Sequence, residues 1–141
     1  MVAMRNLYRY LAMAVATAVV IQAASIAWAA FGIAHDVDAG KVVDKNYEEN
    51  FGATLHAVDG WMVIPALALT LLIVGVVVRS VEGAMHWAGV VFGLVLLEVI
   101  LAAVSFDAPV VGLLHGTTAL LILLSSLKAL HSVPRIVADD S

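Results

Sequence analysis

The 141-residue chain contains no cysteine. That absence excludes a disulfide-stapled scaffold, a thiolate zinc site and a cysteine nucleophile, and it leaves histidine and carboxylate as the metal-binding side chains. Charge is also scarce, at 13% of residues against about 25% in soluble domains. Lys and Arg number seven against eleven Asp and Glu, for a net charge of −4, and form no cluster. This argues against nucleic acid as a partner. Apolar residues fill the space: 63% are hydrophobic and the mean hydropathy is +1.04, well beyond the usual apolar share of about 45–50%. One bilayer-spanning helix takes about 20 residues, so the chain holds four spans and no separate soluble domain. Residues 1–141 therefore read as a single transmembrane domain.

Four apolar segments appear, with cores at Leu7–Ile33, Trp61–Val78, Ala84–Ser105 and Val110–Leu130. Only helices and closed barrels satisfy backbone groups in hydrocarbon, and the alternation of a barrel strand is missing. The expected fold is all-α, an integral membrane four-helix bundle with helices at about 7–33, 51–78, 84–105 and 109–131. Breaks fall at a polar loop over 35–50, a turn at 79–83 and the Phe106-Asp107-Ala108-Pro109 corner. No internal repeat is evident. The first segment, with basic residues before an apolar stretch ending Ala27-Trp28-Ala29, has features of a signal peptide. Its apolar run exceeds a signal core, and it is read as a helix.

Cations set the expected orientation. With the N-terminus in the cytoplasm, Arg5, Arg9, Arg79, Lys128 and Arg135 lie inside and only Lys41 and Lys45 outside, as the positive-inside rule favours. The reading is N-in, C-in, a four-span protein of the cell membrane. The outer loop is acidic (Asp36, Asp38, Asp44, Glu48, Glu49).

Ionisable residues inside a membrane are costly and are functional candidates by default. His56, His86, Glu98 and His115 form that short list. Gln22, Asp59, His35 and His131 rank below them, and His35 and His131 sit at helix ends that water reaches. Asn50 is the expected N-cap of the second helix and Asp107, with Pro109 just inside, that of the fourth. Counted from those caps, His56 and His115 lie about one and a half turns into their helices, both near the outer side. Two imidazoles at matched depth on different helices suit axial ligation of a haem iron from both faces. Gly60, four residues after His56, and Gly112 and Ala119, three before and four after His115, put small residues on the same helix faces. A flat macrocycle needs that clearance. The competing reading is two histidines that hydrogen-bond between helices.

Depth arithmetic pulls against the match. Folding about Asp107 puts His115 about 12 Å below the corner, whereas folding about Val81 places His56 level with Phe106. The same hairpin arithmetic sets Glu98 within about 2 Å of the level of His115, where a carboxylate would orient the imidazole, handle protons or sit protonated as a structural group. His86 lies near the inner end beside Met85 and Trp87. Its only partner at that depth would be His131, so it reads as an interfacial or hydrogen-bonding residue. Gly89 and Gly93 give the third helix a small-residue face suited to docking another helix, in a homo-oligomer or a larger membrane complex.

The Leu55-His56-Ala57-Val58-Asp59-Gly60 element at the outer start of the second helix and Leu114-His115-Gly116 in the fourth resemble one half of a haem A synthase. The likeness covers essentially the whole chain, on short motifs. That family is built from two four-helix halves, and half-size members exist. The resemblance implies that His56 and His115 are the ligands of an outer-side haem. Haem A synthases share a glutamate three residues before the helix-two histidine, needed for oxidation chemistry. Here that position is Ala53, and Glu48 and Glu49 stand at other spacings, so the resemblance carries haem binding further than an enzymatic haem-dependent oxidation.

Three classes of function follow. The first is a membrane protein binding haem b through two histidines, which passes electrons, to or from quinone or a redox protein, or acts on haem. Filled axial positions suit electron transfer. The second is a cofactor-free accessory or structural subunit. The third is a small proton or metal transporter with Glu98 in the path.

Overall fold

A computed structural model describes residues 1–134 of the chain. Arg135, counted among the inner cations, lies outside them. The elements in order are α1 (Val2–Asp38), α2 (Phe51–Val58), a π-helical turn (Asp59–Val63), α3 (Ile64–Val77), α4 (Ala84–Ser105), a 3-10 turn (Pro109–Val111) and α5 (Gly112–Ser132). There is no strand among the described residues. Since α2, the π turn and α3 run continuously, four helices result, and each is long and apolar enough to cross a membrane. The protein is thus an all-α four-helix bundle with the helices of a multi-pass membrane protein.

The first helix departs from expectation. It covers Val2–Asp38 rather than 7–33, so His35 lies in its last turn and the connecting loop shortens to residues 39–50. At about 1.5 Å per residue a helix of 37 residues is about 55 Å long, against about 30 Å of hydrocarbon. Its end is held by the loop folding back on it. Gly40 takes the left-handed φ of +85° that releases the helix, Lys41 pairs with Asp36 at 2.9 Å, and Tyr47 Oη donates to Asp36 at 3.0 Å. The pairing with Asp36 raises the pKa of Lys41.

Helix starts divide into one confirmed cap and one corrected. Asn50 Oδ1 accepts from the Gly52 amide at 2.9 Å, as a capping asparagine should. Asp107 does not cap the fourth helix. Its own amide bonds to Val104 O and prolongs α4, and the N-cap position before the 3-10 turn belongs to Ala108, without a side-chain cap. Pro109 opens that turn, where a missing amide hydrogen is harmless. The π turn precedes Pro65, near the start of α3. A proline inside a helix lacks the hydrogen for its i−4 carbonyl and crowds it, and a widened turn is a common accommodation.

Packing is tight at the end that carries Met1 and Pro134, called the terminal end below. Tyr8, Ala12 and Val15 of α1 meet Leu71 and Val74 of α3, Ala84, Ala88 and Val91 of α4, and Ala129 of α5, all buried. Small residues let membrane helices approach closely. At Gly75 a Cβ would stand 2.8 Å from the Cβ of Ala88, closer than packed atoms allow. Polar side chains close this end. Tyr8 Oη donates to Ala84 O at 2.8 Å, and Arg9 Nη1 donates to Leu130 O at 2.8 Å and Val133 O at 2.5 Å. Those carbonyls at the end of α5 have no helical donor, and the guanidinium supplies one.

Candidate functional site: a histidine pair in a cleft

At the opposite end, which carries residues 39–50, the bundle does not close in the same way. Here α2 packs chiefly on α1, drawn in by Gly52, whose absent Cβ would lie 2.7 Å from Ser25 O and 3.0 Å from the Ala29 amide nitrogen. Held against α1, α2 leaves a cleft toward α4 and α5. Gln22 of α1, His56 and Gly60, Glu98 of α4, and His115 and Ala119 of α5 all line it, with Trp61, Ala57, Val99 and Ala102 among the remaining walls. The space free of atoms is about 530 Å³ with the open mouth included, and the cavity itself about 60 Å³.

The two histidines meet in this cleft. Their ring centroids are 6.4 Å apart and their planes 80° to each other. Any difference in depth is therefore no larger than that separation, less than hairpin arithmetic gives. The extended corner at Ala108 and the 3-10 turn, which rises about 2.0 Å per residue, together with the π turn, change the register that straight helices would impose.

Each ring has its Nδ1 beside an oxygen, and only that of His56 is hydrogen-bonded. His56 Nδ1 lies 3.1 Å from Gln22 O, and a carbonyl only accepts. Nδ1 must carry the hydrogen, which leaves Nε2 with its lone pair, the tautomer a metal ligand needs. His115 Nδ1 lies 3.1 Å from Glu98 Oε1. The level match expected between Glu98 and His115 is found, although the pair is not aligned as a hydrogen bond, and both His115 Nδ1 and Glu98 Oε2 are buried without a partner.

A group bound between the rings can be tested on these dimensions. A metal–imidazole bond of about 2.0–2.1 Å, plus roughly 1.1 Å from ring nitrogen to ring centre, separates the centroids of two opposed ligands by about 6.3 Å. The donor set thus fits a haem, whose macrocycle supplies the other ligands. The macrocycle itself does not fit the enclosed cavity and requires the mouth of the cleft as well, since sites for such ligands run to about 300–1,000 Å³. Among the described residues no group of three or more His, Cys, Asp or Glu is arranged to hold a metal ion.

The other expected site residues divide. Gly60 sits under the Gln22 amide, which a Cβ there would strike, and Ala119 lines the cleft. Gly112 lies outside the cleft lining and faces Ser105 Oγ at 4.0 Å. Gly89 and Gly93 have open space where a Cβ would stand. His86 is exposed and lies edge-on to Trp87 at 5.2 Å. His131 is exposed and within 2.6 Å of Leu127 O in its own helix, and His35 is exposed.

Two residues matter more than their sequence ranking. Gln22 gives its backbone carbonyl to His56, and its Oε1 is buried and unpartnered. Asp59 is 6% exposed with Oδ2 unpartnered. Polarity within an apolar run was the available signal for both. Comparison with known proteins finds no matching family model, no similar curated protein and no similar solved structure.

Proposed function

We propose that this chain is a membrane protein that binds haem b between His56 and His115 and transfers electrons, with the loop end facing outward and both termini inward. The observation that carries the reading is the histidine pair, two rings from different helices at a separation suited to opposed axial ligation. The Gln22 carbonyl and Glu98 would hold the two rings in orientation, as hydrogen-bonding partners of ligand histidines do. Gly60, Ala102 and Ala119 keep bulk away from the ring pair. A bound haem would supply a one-electron couple, and two histidine ligands leave no axial position for substrate. The resemblance to half of a haem A synthase supports the same ligands, and Ala53 argues for electron transfer rather than the synthase reaction.

Purified protein from a haem-replete host should show a Soret band and, on reduction, a sharpened α band. His56→Ala and His115→Ala should each abolish that signature with helical content unchanged. Folded, colourless protein that takes up no added hemin would overturn the reading. One observation favours a cofactor-free membrane subunit instead, namely the cavity of about 60 Å³. In that reading the rings make an edge-to-face contact, for which about 4.5–7 Å is normal.

A further inference from the structure

The face of α1 that carries Gln22 is otherwise made of small residues. Ala18, Gln22, Ser25 and Ala29 follow at helical spacing on that face, and Ala18, Ser25 and Ala29 are all buried. Gly52 of α2 presses on it at Ser25 O and the Ala29 amide nitrogen. Close approach explains why position 25 is small. It does not explain the hydroxyl, since alanine is smaller and the better helix former.

The hydroxyl is directed at a carbonyl already in use. Ser25 Oγ donates to Gln22 O at 2.9 Å, the same oxygen that accepts from His56 Nδ1 at 3.1 Å. Inside an α-helix that oxygen is also the acceptor for the amide four residues on, that of Ile26. Three donors therefore converge on an oxygen with two lone pairs. Thr70, Ser105, Thr117, Ser126 and Ser132 also donate to carbonyls of their own helices. Among the described residues, Gln22 O is the one backbone oxygen that receives two side-chain donors.

We propose that Ser25 is a positioning residue that sets the strength of the His56 hydrogen bond by competing for Gln22 O. Electron density given to the hydroxyl is withdrawn from the imidazole. His56 Nδ1 is thus held more weakly than an unshared carbonyl would hold it, and Nε2 is correspondingly less basic. The inference rests on the haem reading for its consequence. A less basic axial imidazole favours ferrous over ferric iron, and hydrogen bonding around a ligand is one of the means by which a protein sets a haem potential. Ser25 thereby holds the potential of a bound haem above the value that His56 and Gln22 alone would give. The hydrogen bond itself is measured without haem.

The test uses the full chain with isotope-labelled histidine in detergent micelles. In protein from a haem-depleted host, the Nδ1 proton resonance of His56, identified by its loss in His56→Ala, should move downfield in Ser25→Ala, as a strengthened hydrogen bond requires. Ser25→Cys, which keeps a side chain of similar shape and donates weakly, should move it the same way by less. Ser126→Ala removes a buried hydroxyl from the Ile122 carbonyl, which no histidine shares, and should leave the resonance in place. In haem-loaded protein the midpoint potential of Ser25→Ala should fall by about 30–60 mV, which is about a threefold to tenfold change in the preference for ferric iron. That of Ser126→Ala should not change. An unmoved His56 proton, an equal movement in Ser126→Ala, or a coloured Ser25→Ala protein with an unchanged or raised potential would overturn the role of Ser25. A colourless protein whose His56 proton moves as expected would refute the haem reading and sustain this one. A coloured protein whose His56 proton stays in place would do the reverse.

Discussion

The two ends of this bundle are built from similar apolar sequence and do different things. At the terminal end, Ala, Val and Gly bring four helices into contact, and Tyr8 and Arg9 spend their donors on backbone carbonyls, while Arg5 Nε is buried without a partner. At the loop end, Gly52 commits α2 to α1 and the bundle opens toward α4 and α5. The polar side chains there have unspent atoms on Gln22, Asp59, Glu98 and His115. Polar groups in a membrane interior are costly unless satisfied, so the end that gathers four such residues around one cleft is where function is expected. Packing alone would have favoured apolar residues at both.

The sharpest way to break that contrast is to remove a histidine. His56→Ala or His115→Ala should eliminate haem binding altogether, read as loss of the Soret band, while thermal unfolding in detergent changes little. A large loss of stability with colour retained would reverse the roles of the two ends. Next in size is overpacking at the closed end. Gly75→Leu should destabilise by about 1–3 kcal/mol relative to Gly89→Leu, read as a lower denaturation midpoint. Both substitutions gain the same helix propensity, and only Gly75 faces Ala88, so equal midpoints would show that the terminal end is not close-packed.

A smaller effect is expected from Glu98→Gln, which keeps the shape and removes the carboxyl group beside His115. Haem affinity should fall about tenfold, the low end for partners of metal ligands, with the spectrum retained. Unchanged affinity would make Glu98 a packing residue. Smallest is Lys41→Met on the loop. The ion pair with Asp36 is exposed, and exposed pairs contribute little, so the denaturation midpoint should not move measurably at neutral pH. The sign of its pH dependence is fixed nonetheless. Because the folded pKa of Lys41 is raised, its contribution is complete below the ordinary lysine pKa and is lost as pH rises through the folded value. A midpoint that falls on acidification from neutral to pH 6 cannot come from Lys41.

Much of this was legible in the sequence where a single physical rule dominates. Hydropathy set the four helices, since hydrocarbon leaves the backbone no alternative. Asn50 declared its capping role because an asparagine, a favoured N-cap, stands directly before the helix that begins at Phe51, and the hairpin geometry of α4 and α5 was enough to bring Glu98 beside His115. The failures occur where two rules compete. Asp107 looked like a cap, but the corner lets α4 use its amide, and Ala108 takes the position. The extent of α1 was hidden because its last turns are polar and overhang the apolar core. The depths of His56 and His115 depend on a π turn and a 3-10 turn that no periodicity reveals. Gln22 ranked low because its contribution to His56 is a backbone carbonyl, which any side chain would supply.

The optical spectrum of the purified full-length protein, oxidised and then reduced, tests the central claim most directly. The account predicts a Soret band and a reduced α band typical of two histidine ligands, both absent from the His56→Ala and His115→Ala proteins. A folded protein that is colourless and binds no hemin, or one whose spectrum survives either substitution, would contradict it.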